Sequence, residues 1–258
     1  MKNRFKKFPA LIIIFLTAVL IFSCGKNDNG NNGLTDNNDD DGGNELPNID
    51  TNSTGNNVYD IDANGIPKFV KVNYIELEHI YQISKFRSAI GHDYADSFES
   101  CRSMKHYYQP KSGADWSAIK IFSPVKGKVS RVFAEWAGSQ VQITSDEYPA
   151  FVFILFHVNL ITPLKEGDQI SEGQQIGTHI GSQTMSDITV RVTTPKGWKL
   201  ISYFDVMDDS IFQIYQSRGI NSRSNFIISK EERDADTLNC NGETFFNSGT
   251  IDNWVVLN

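Results

Sequence analysis

Between Ser123 and Val192 the chain is a succession of short apolar runs separated by polar glycine turns. Val141-Gln142-Ile143-Thr144 alternates apolar and polar residues, the pattern of a strand with one face toward solvent. Residues 151–156 are continuously apolar and rich in Phe, Val and Ile, which predicts a strand covered on both faces. Lys126-Gly127, Glu166-Gly167-Asp168 and Glu172-Gly173-Gln174 supply the turns. Nothing in this stretch leaves room for a long helix. The spacing predicts a mainly β fold, a sandwich or barrel with a few short flanking helices.

The flanks are less regular. Phe69-Val70-Lys71-Val72 alternates like a strand. From Ile75 to Phe86, apolar residues at 75, 77, 80, 81, 83 and 86 predict an amphipathic helix, with His79 on its exposed side. The stretch Gly91 to Tyr108 is dense in titratable and aromatic groups and has no period, the character of a loop that carries a site. Downstream, Tyr203 to Tyr215 reads as a strand passing into a short helix, and Trp254 to Leu257 as a final strand. Ser229 and Glu232 stand at capping-box spacing and predict a helix start.

The N-terminus changes the picture. Lys2, Arg4, Lys6 and Lys7 precede an apolar run from Ala10 to Ser23, and Cys24 follows at once. That run is shorter than the ~20 apolar residues of a spanning helix, so residues 1–23 read as a signal peptide. Ile21-Phe22-Ser23-Cys24 resembles a bacterial lipobox, which implies a diacylglycerol on Cys24 and attachment to a membrane. Gly25 after the cysteine points to the outer membrane. Residues 24–57, rich in Asn, Asp, Gly, Ser and Thr, cannot bury enough apolar surface to fold and form a tether; residues 58–258 form a single β domain.

Charge and cysteines fit an envelope protein. The formal net charge of −7 becomes −11 without the signal's four basic residues, which argues against a nucleic-acid partner. Apart from Cys24, only Cys101 and Cys240 are present. In an oxidising compartment they predict one disulfide, with two separate buried thiols as the alternative.

Ser123-Pro124-Val125-Lys126-Gly127-Lys128-Val129, followed by Glu166-Gly167-Asp168-Gln169-Ile170 and Gly173-Gln174-Gln175-Ile176-Gly177, resembles the β core of the lysostaphin-type zinc peptidases. Their fold is a duplicated hybrid motif. Phe156-His157-Val158-Asn159-Leu160 is similar to the family's Tyr-Ala-His-Leu segment. Gly181-Ser182-Gln183-Thr184 and residues 187–192 are similar to its Gly-Ser-Thr-Gly loop and last His-x-His strand. The resemblance covers residues 102–195 and leaves 58–101 and 196–258 as flanking segments. Lipoyl-type carriers are excluded because no modifiable lysine stands in a core hairpin. An efflux adaptor is excluded because no heptad stretch exists.

The resemblance implies a zinc site. The family holds zinc through the His and Asp of a His-x-x-x-Asp segment and the second His of His-x-His. The other His of that pair and the Tyr-Ala-His-Leu histidine assist catalysis. A hydrolytic zinc needs three protein ligands and an open water position. Here His106 stands near the first ligand position, but Pro110 follows four residues on. His157 falls on the Tyr-Ala-His-Leu position, Asp187 and Thr189 replace the two strand histidines, and Arg191 stands where the family usually has Glu. Alternation puts Asp187, Thr189 and Arg191 on one face and Ile188, Val190 and Val192 on the core face. His92-Asp93-Tyr94-Ala95-Asp96 is a second His-x-x-x-Asp segment, able in principle to supply His92 and Asp96, with His106, His157 or Asp187 completing a set.

Two functions follow from the broken pattern. The first is a non-catalytic envelope lipoprotein that binds a peptidoglycan peptide, a surface glycan or a partner envelope protein, without a cofactor. Its groove would use Tyr94, Tyr107, Tyr108 and Trp136 for stacking, and His92, Asp96, Arg102, Lys105 and His106 for polar contacts. Those aromatic residues could instead simply cover the sheet. The second function is a divergent zinc endopeptidase acting on peptidoglycan.

Overall fold

Residues 57–258 are described by a computed structural model; the signal peptide, Cys24 and the tether as far as residue 56 lie outside the described residues. A short helix α1 (Ile61–Asn64) precedes strands β1 (Ile80–Ser84) and β2 (His106–Pro110). Eight strands follow: β3 (Lys120–Phe122), β4 (Gly127–Ala134), β5 (Ser139–Ser145), β6 (Phe151–Leu160), β7 (Gln169–Ile170), β8 (Gln175–His179), β9 (Ser186–Thr194) and β10 (Gly197–Ile201). Helices α2 (Asp209–Gln216) and α3 (Lys230–Ala235), the hairpin β11 (Cys240–Asn241) and β12 (Thr244–Phe245), and strand β13 (Trp254–Val256) come last.

The protein is mainly β. Its large sheet runs β13-β1-β2-β9-β6-β5-β4-β7, with β10 beside β9 and with β8 joining β3 to β6. Its strand pairs are antiparallel. The glycine turns have local causes. Gly167 and Gly173 adopt φ of 96° and 73°, which only glycine enters without strain. At Gly127 the backbone of β5 comes so close that a Cβ would lie 2.1 Å from the Thr144 carbonyl oxygen.

Strand β6 is covered on both faces, as its unbroken apolar run predicts. Phe151, Phe153 and Leu155 enter the main core with Val129, Ile143, Ile188, Val190 and Val192. On the other face Val152, Ile154 and Phe156 form a smaller cluster under Tyr94. Alternation then breaks. Val158, two residues past Phe156, points back into the main core. His157 between them has φ of +59°, rare for a residue with a Cβ. At this point β6 changes partner, from β9 at Phe156–Asp187 to β8 at Val158–His179.

Three expectations are corrected. Ile75 to Phe86 is not a helix: a single 3-10 turn (Leu77–His79) leads into β1. A register shift between Ile80 and Gln82 puts buried residues at 80 and 83, a spacing that mimics a helical period. Phe69 to Val72 forms only an isolated bridge, Val70 to Met207. The polar face of β5 is not open, since Gln142 is buried and donates to Gln140 at 2.8 Å. The capping box forms at α3: Ser229 accepts from Glu232 N at 3.1 Å, and Glu232 accepts from Ser229 N at 2.9 Å. Among the described residues no helix is long and apolar enough to cross a membrane.

Cys101 and Cys240 are joined by a disulfide across 139 residues of chain. The bridge fastens the Gly91–Ser103 segment to the C-terminal hairpin. Replacing both cysteines with alanine is expected to cost about 2–5 kcal/mol, because a long loop gains most from closure. For a chain of this size that lowers Tm by roughly 10 °C. Equal melting of oxidised and reduced protein would remove the disulfide from the stability account.

Candidate functional site

The site lies on the sheet face turned away from the main core, where β2, β9 and β6 run side by side. The register sets Tyr107 opposite Asp187 and Phe156 opposite Asp187, so these three side chains share one face. Lys105, two residues before Tyr107, points the same way. Its ammonium lies 2.9 Å from Asp187 Oδ2, off the line of a directed hydrogen bond, and both side chains are fully buried. The remaining surroundings are a second nitrogen and three rings. His92 Nε2 is 3.1 Å away, and the ring centroids of Phe156, Tyr94 and Tyr107 are 3.9, 4.6 and 5.3 Å away. Burial alone would push the Lys105 ammonium down; the Asp187 carboxylate outweighs it and holds the group above its ordinary value.

The histidines are committed elsewhere. His106 is fully buried, with Nδ1 2.8 Å from the Ser84 carbonyl and Nε2 2.8 Å from Ser202 Oγ. The carbonyl can only accept, so Nδ1 carries the proton and Nε2 accepts from the serine; no lone pair is left for a metal. Burial lowers the His106 pKa to about 4. His92 donates from Nδ1 to the Asp93 carbonyl at 2.9 Å and turns Nε2 to Lys105. Burial and then the Lys105 charge lower its pKa to about 4. His157 has Nδ1 3.0 Å from the Ala137 carbonyl and 3.2 Å from Glu135 Oε2, while its Nε2 stops 3.7 Å from Asp187 Oδ1. The exposed Trp136 ring lies 5.5 Å from the His157 ring. His179 ends β8 with backbone N–H groups of Gly181 and Ser186 aimed at its two nitrogens, at 3.1 and 3.0 Å. Burial lowers its pKa to about 4, and an imidazolium there would face two donors.

The rest of the expected groove is a cover. Asp96 accepts from the backbone of Phe98 and Leu200, each at 2.9 Å, and so fastens the loop to β10 instead of joining His92 as a ligand pair. Arg102 is buried, with Nη1 2.7 Å from Glu99 and Nη2 2.8 Å from Asp234. Tyr108 does not line a groove: it sits in the main core, 4.8 Å from the Tyr74 ring in an edge contact. Tyr107 is buried against the loop. The cause is shared, since β2 lies inside the sheet between β1 and β9 and both of its faces are covered. Of the expected stacking residues Trp136 is exposed, at 75%. Glu135, which the sequence does not single out, accepts from the His157 backbone at 2.9 Å and holds that strained residue in place.

The donor set does not fit a catalytic zinc. Thr189, at the place the resemblance gives to a ligand histidine, donates its hydroxyl to the Met104 carbonyl at 2.6 Å. Beside Asp187 stands a cation, Lys105, where a metal site would need a donor. Among the described residues no group of three His, Cys, Asp or Glu side chains is arranged to hold a metal ion.

No protein-family profile matches the chain. No curated protein matches it. Among solved structures, it is similar to a crystal structure described as a glycyl-glycine endopeptidase LytM from Ruminococcus gnavus, at 14% identity and a TM-score of 0.31, over 40% of this chain and 43% of that one. It is similar also to the solution structure of lysostaphin, at 14% identity and a TM-score of 0.29, over 52% of this chain and 56% of that one. The chain thus spans about half the length of the solved structures it matches.

Proposed function

We propose that this protein is a bacterial envelope lipoprotein, anchored in the outer membrane through a lipid on Cys24. Its β domain is of a peptidase-like kind that binds rather than cuts. The observation that carries the non-catalytic reading is the Lys105–Asp187 pair: a buried ammonium lies 2.9 Å from the carboxylate that replaces a histidine of the peptidase pattern. The engagement of both His106 nitrogens supports it further. The basic-then-apolar N-terminus ending in Cys24 and the Cys101–Cys240 bridge support an envelope location. The ligand we favour is a cell-wall peptide or glycan, with a partner envelope protein as the other candidate.

The full-length chain in mild detergent is incubated with purified peptidoglycan sacculi. The expected result is sedimentation with the sacculi, no release of soluble fragments, and no effect of a zinc chelator. Fragment release stopped by the chelator would replace this reading with the divergent zinc endopeptidase. Failure to sediment would sink the cell-wall ligand. Metabolic labelling with a radioactive fatty acid, expected to disappear in Cys24→Ser, tests the anchor separately.

A further inference from the structure

Arg191 of β9 and Arg131 of β4 stand on the same outer face of the sheet, without a counter-ion among the described residues. The register puts them there. Arg191 pairs with Val152 and Thr189 with Ile154; Ile154 pairs with Gln142, and Gln142 with Arg131. Antiparallel partners share a face, so the two partly exposed arginines flank the buried Val152, Ile154 and Gln142 from strands three apart in the sheet. Thr144, the other partner of Val152, adds a hydroxyl between them.

Among the described residues neither guanidinium makes a hydrogen bond or an ion pair. Arg131 lies over the Phe133 ring, 4.8 Å from its centroid. Two acids act on the Tyr94 hydroxyl, opposite in sign to Arg191, and both are engaged elsewhere: Glu135 accepts from Gln140 and the His157 backbone, and Asp187 is paired with Lys105. Arg191 is only partly exposed; burial disfavours its charged form most, Tyr94 acts in the opposite direction, and the Arg131 charge disfavours it further. Its nitrogens are not sealed off, because none is among the fully buried atoms that lack a partner. A half-desolvated cation with no partner raises the free energy of the fold.

A guanidinium offers a planar fork of N–H donors that matches the paired oxygens of a carboxylate or a phosphate. We propose that these two side chains form an oxyanion-binding site, in which Arg191 and Arg131 hold a carboxylate or phosphate group of a ligand at the surface above the covered strands. The proposal rests on the sheet face alone. It stands or falls separately from the envelope reading.

The test is calorimetric titration of the full-length chain in mild detergent at low salt. Three probes are used: N-acetylglycylalanine with a free carboxylate, the same peptide as its C-terminal amide, and inorganic phosphate. Saturable binding of at least one anion and none of the amide is expected. R191Q and R131Q should each weaken that binding at least about tenfold, the scale of one charge-assisted contact. Binding of the peptide acid alone would assign a carboxylate ligand, and of phosphate alone a phosphorylated one; either supports the site. Three results overturn it: no saturable binding of either anion by about 10 mM, equal binding of acid and amide, or unchanged binding in R191Q. A further readout separates binding from folding. Because Arg191 is unpaired, R191Q should melt no lower than the parent chain, and a drop of several degrees would reveal a structural partner and also overturn the proposal.

Discussion

Replacing Lys105 with methionine is expected to destabilise the β domain by about 3–5 kcal/mol, because it leaves the Asp187 carboxylate buried and uncompensated. The side chains are close in volume, so lost packing contributes little and lost charge dominates. Among the described residues Asp187 has no second ammonium or guanidinium partner, and His157 Nε2 stops 3.7 Å from it. For a chain of this size the change lowers Tm by roughly 10 °C. The double variant K105M/D187L removes both charges and is expected to recover most of the loss, since a buried ion pair is often no more stable than an apolar pair of similar shape. A double variant that melts as low as K105M would mean that the ammonium stabilises through its rings and His92 rather than through Asp187. The contribution should not vary near neutrality. The Lys105 pKa is raised, so its stabilisation is fully present below its ordinary value of 10.5 and is lost only as pH rises beyond it.

Acid is expected to weaken the domain from about pH 6.5 downward, where its buried histidines begin to take up protons on unfolding. His92, His106 and His179 are each lowered from 6.5 to about 4 in the folded chain. The unfolded chain therefore binds more protons between these values, and stability falls as pH drops from 6.5 toward 4. The fully buried His106 alone accounts for about 3 kcal/mol over that window. His92 is more than a third exposed and contributes less. Asp205 acts in the opposite direction: burial raises its carboxyl from 3.8 to about 6, which favours the folded state as pH falls through that range. Burial raises the Asp96 carboxyl as well, so two such groups stand against three histidines, which leaves a net loss. Melting curves at half-unit steps from pH 7.5 to 4.5 should give a flat Tm above 6.5 and a steepening fall below it. A Tm that stays flat to pH 4.5 would contradict the buried neutral state of these rings.

What the sequence reveals depends on how far apart the interacting residues lie. The double coverage of β6 is legible because six adjacent apolar residues state it directly, and the glycine turns because left-handed φ selects glycine within a few positions. The face carrying Asp187, Thr189 and Arg191 is legible from alternation. Its partner is not. Lys105 sits 82 residues earlier, in a segment whose His, Gln and Pro dilute the strand pattern, and only the pairing of β2 with β9 brings the two charges together. The same dilution makes Tyr108 read as a loop residue when it belongs to the core. The left-handed turn at His157 has no local signature, because a histidine in an apolar run ordinarily continues the strand; the change of partner from β9 to β8 imposes it. The false helix at Ile75 to Phe86 has a similar origin, a shifted register that copies the spacing of a helical face.

The disulfide also fixes how the domain responds to tension. A pull on the two ends of the described chain passes through Cys101 and Cys240 and bypasses everything between them. Only residues 57–100 and 241–258 can be drawn out, roughly 200 Å of extended backbone against roughly 700 Å for the unbridged chain. Strands β2 to β10, with both unpaired arginines and the Lys105–Asp187 pair, lie inside the bridged loop and are shielded from such a force. A pull applied at the two ends of the described chain would straighten the flanking segments while the sheet inside the bridged loop keeps its register.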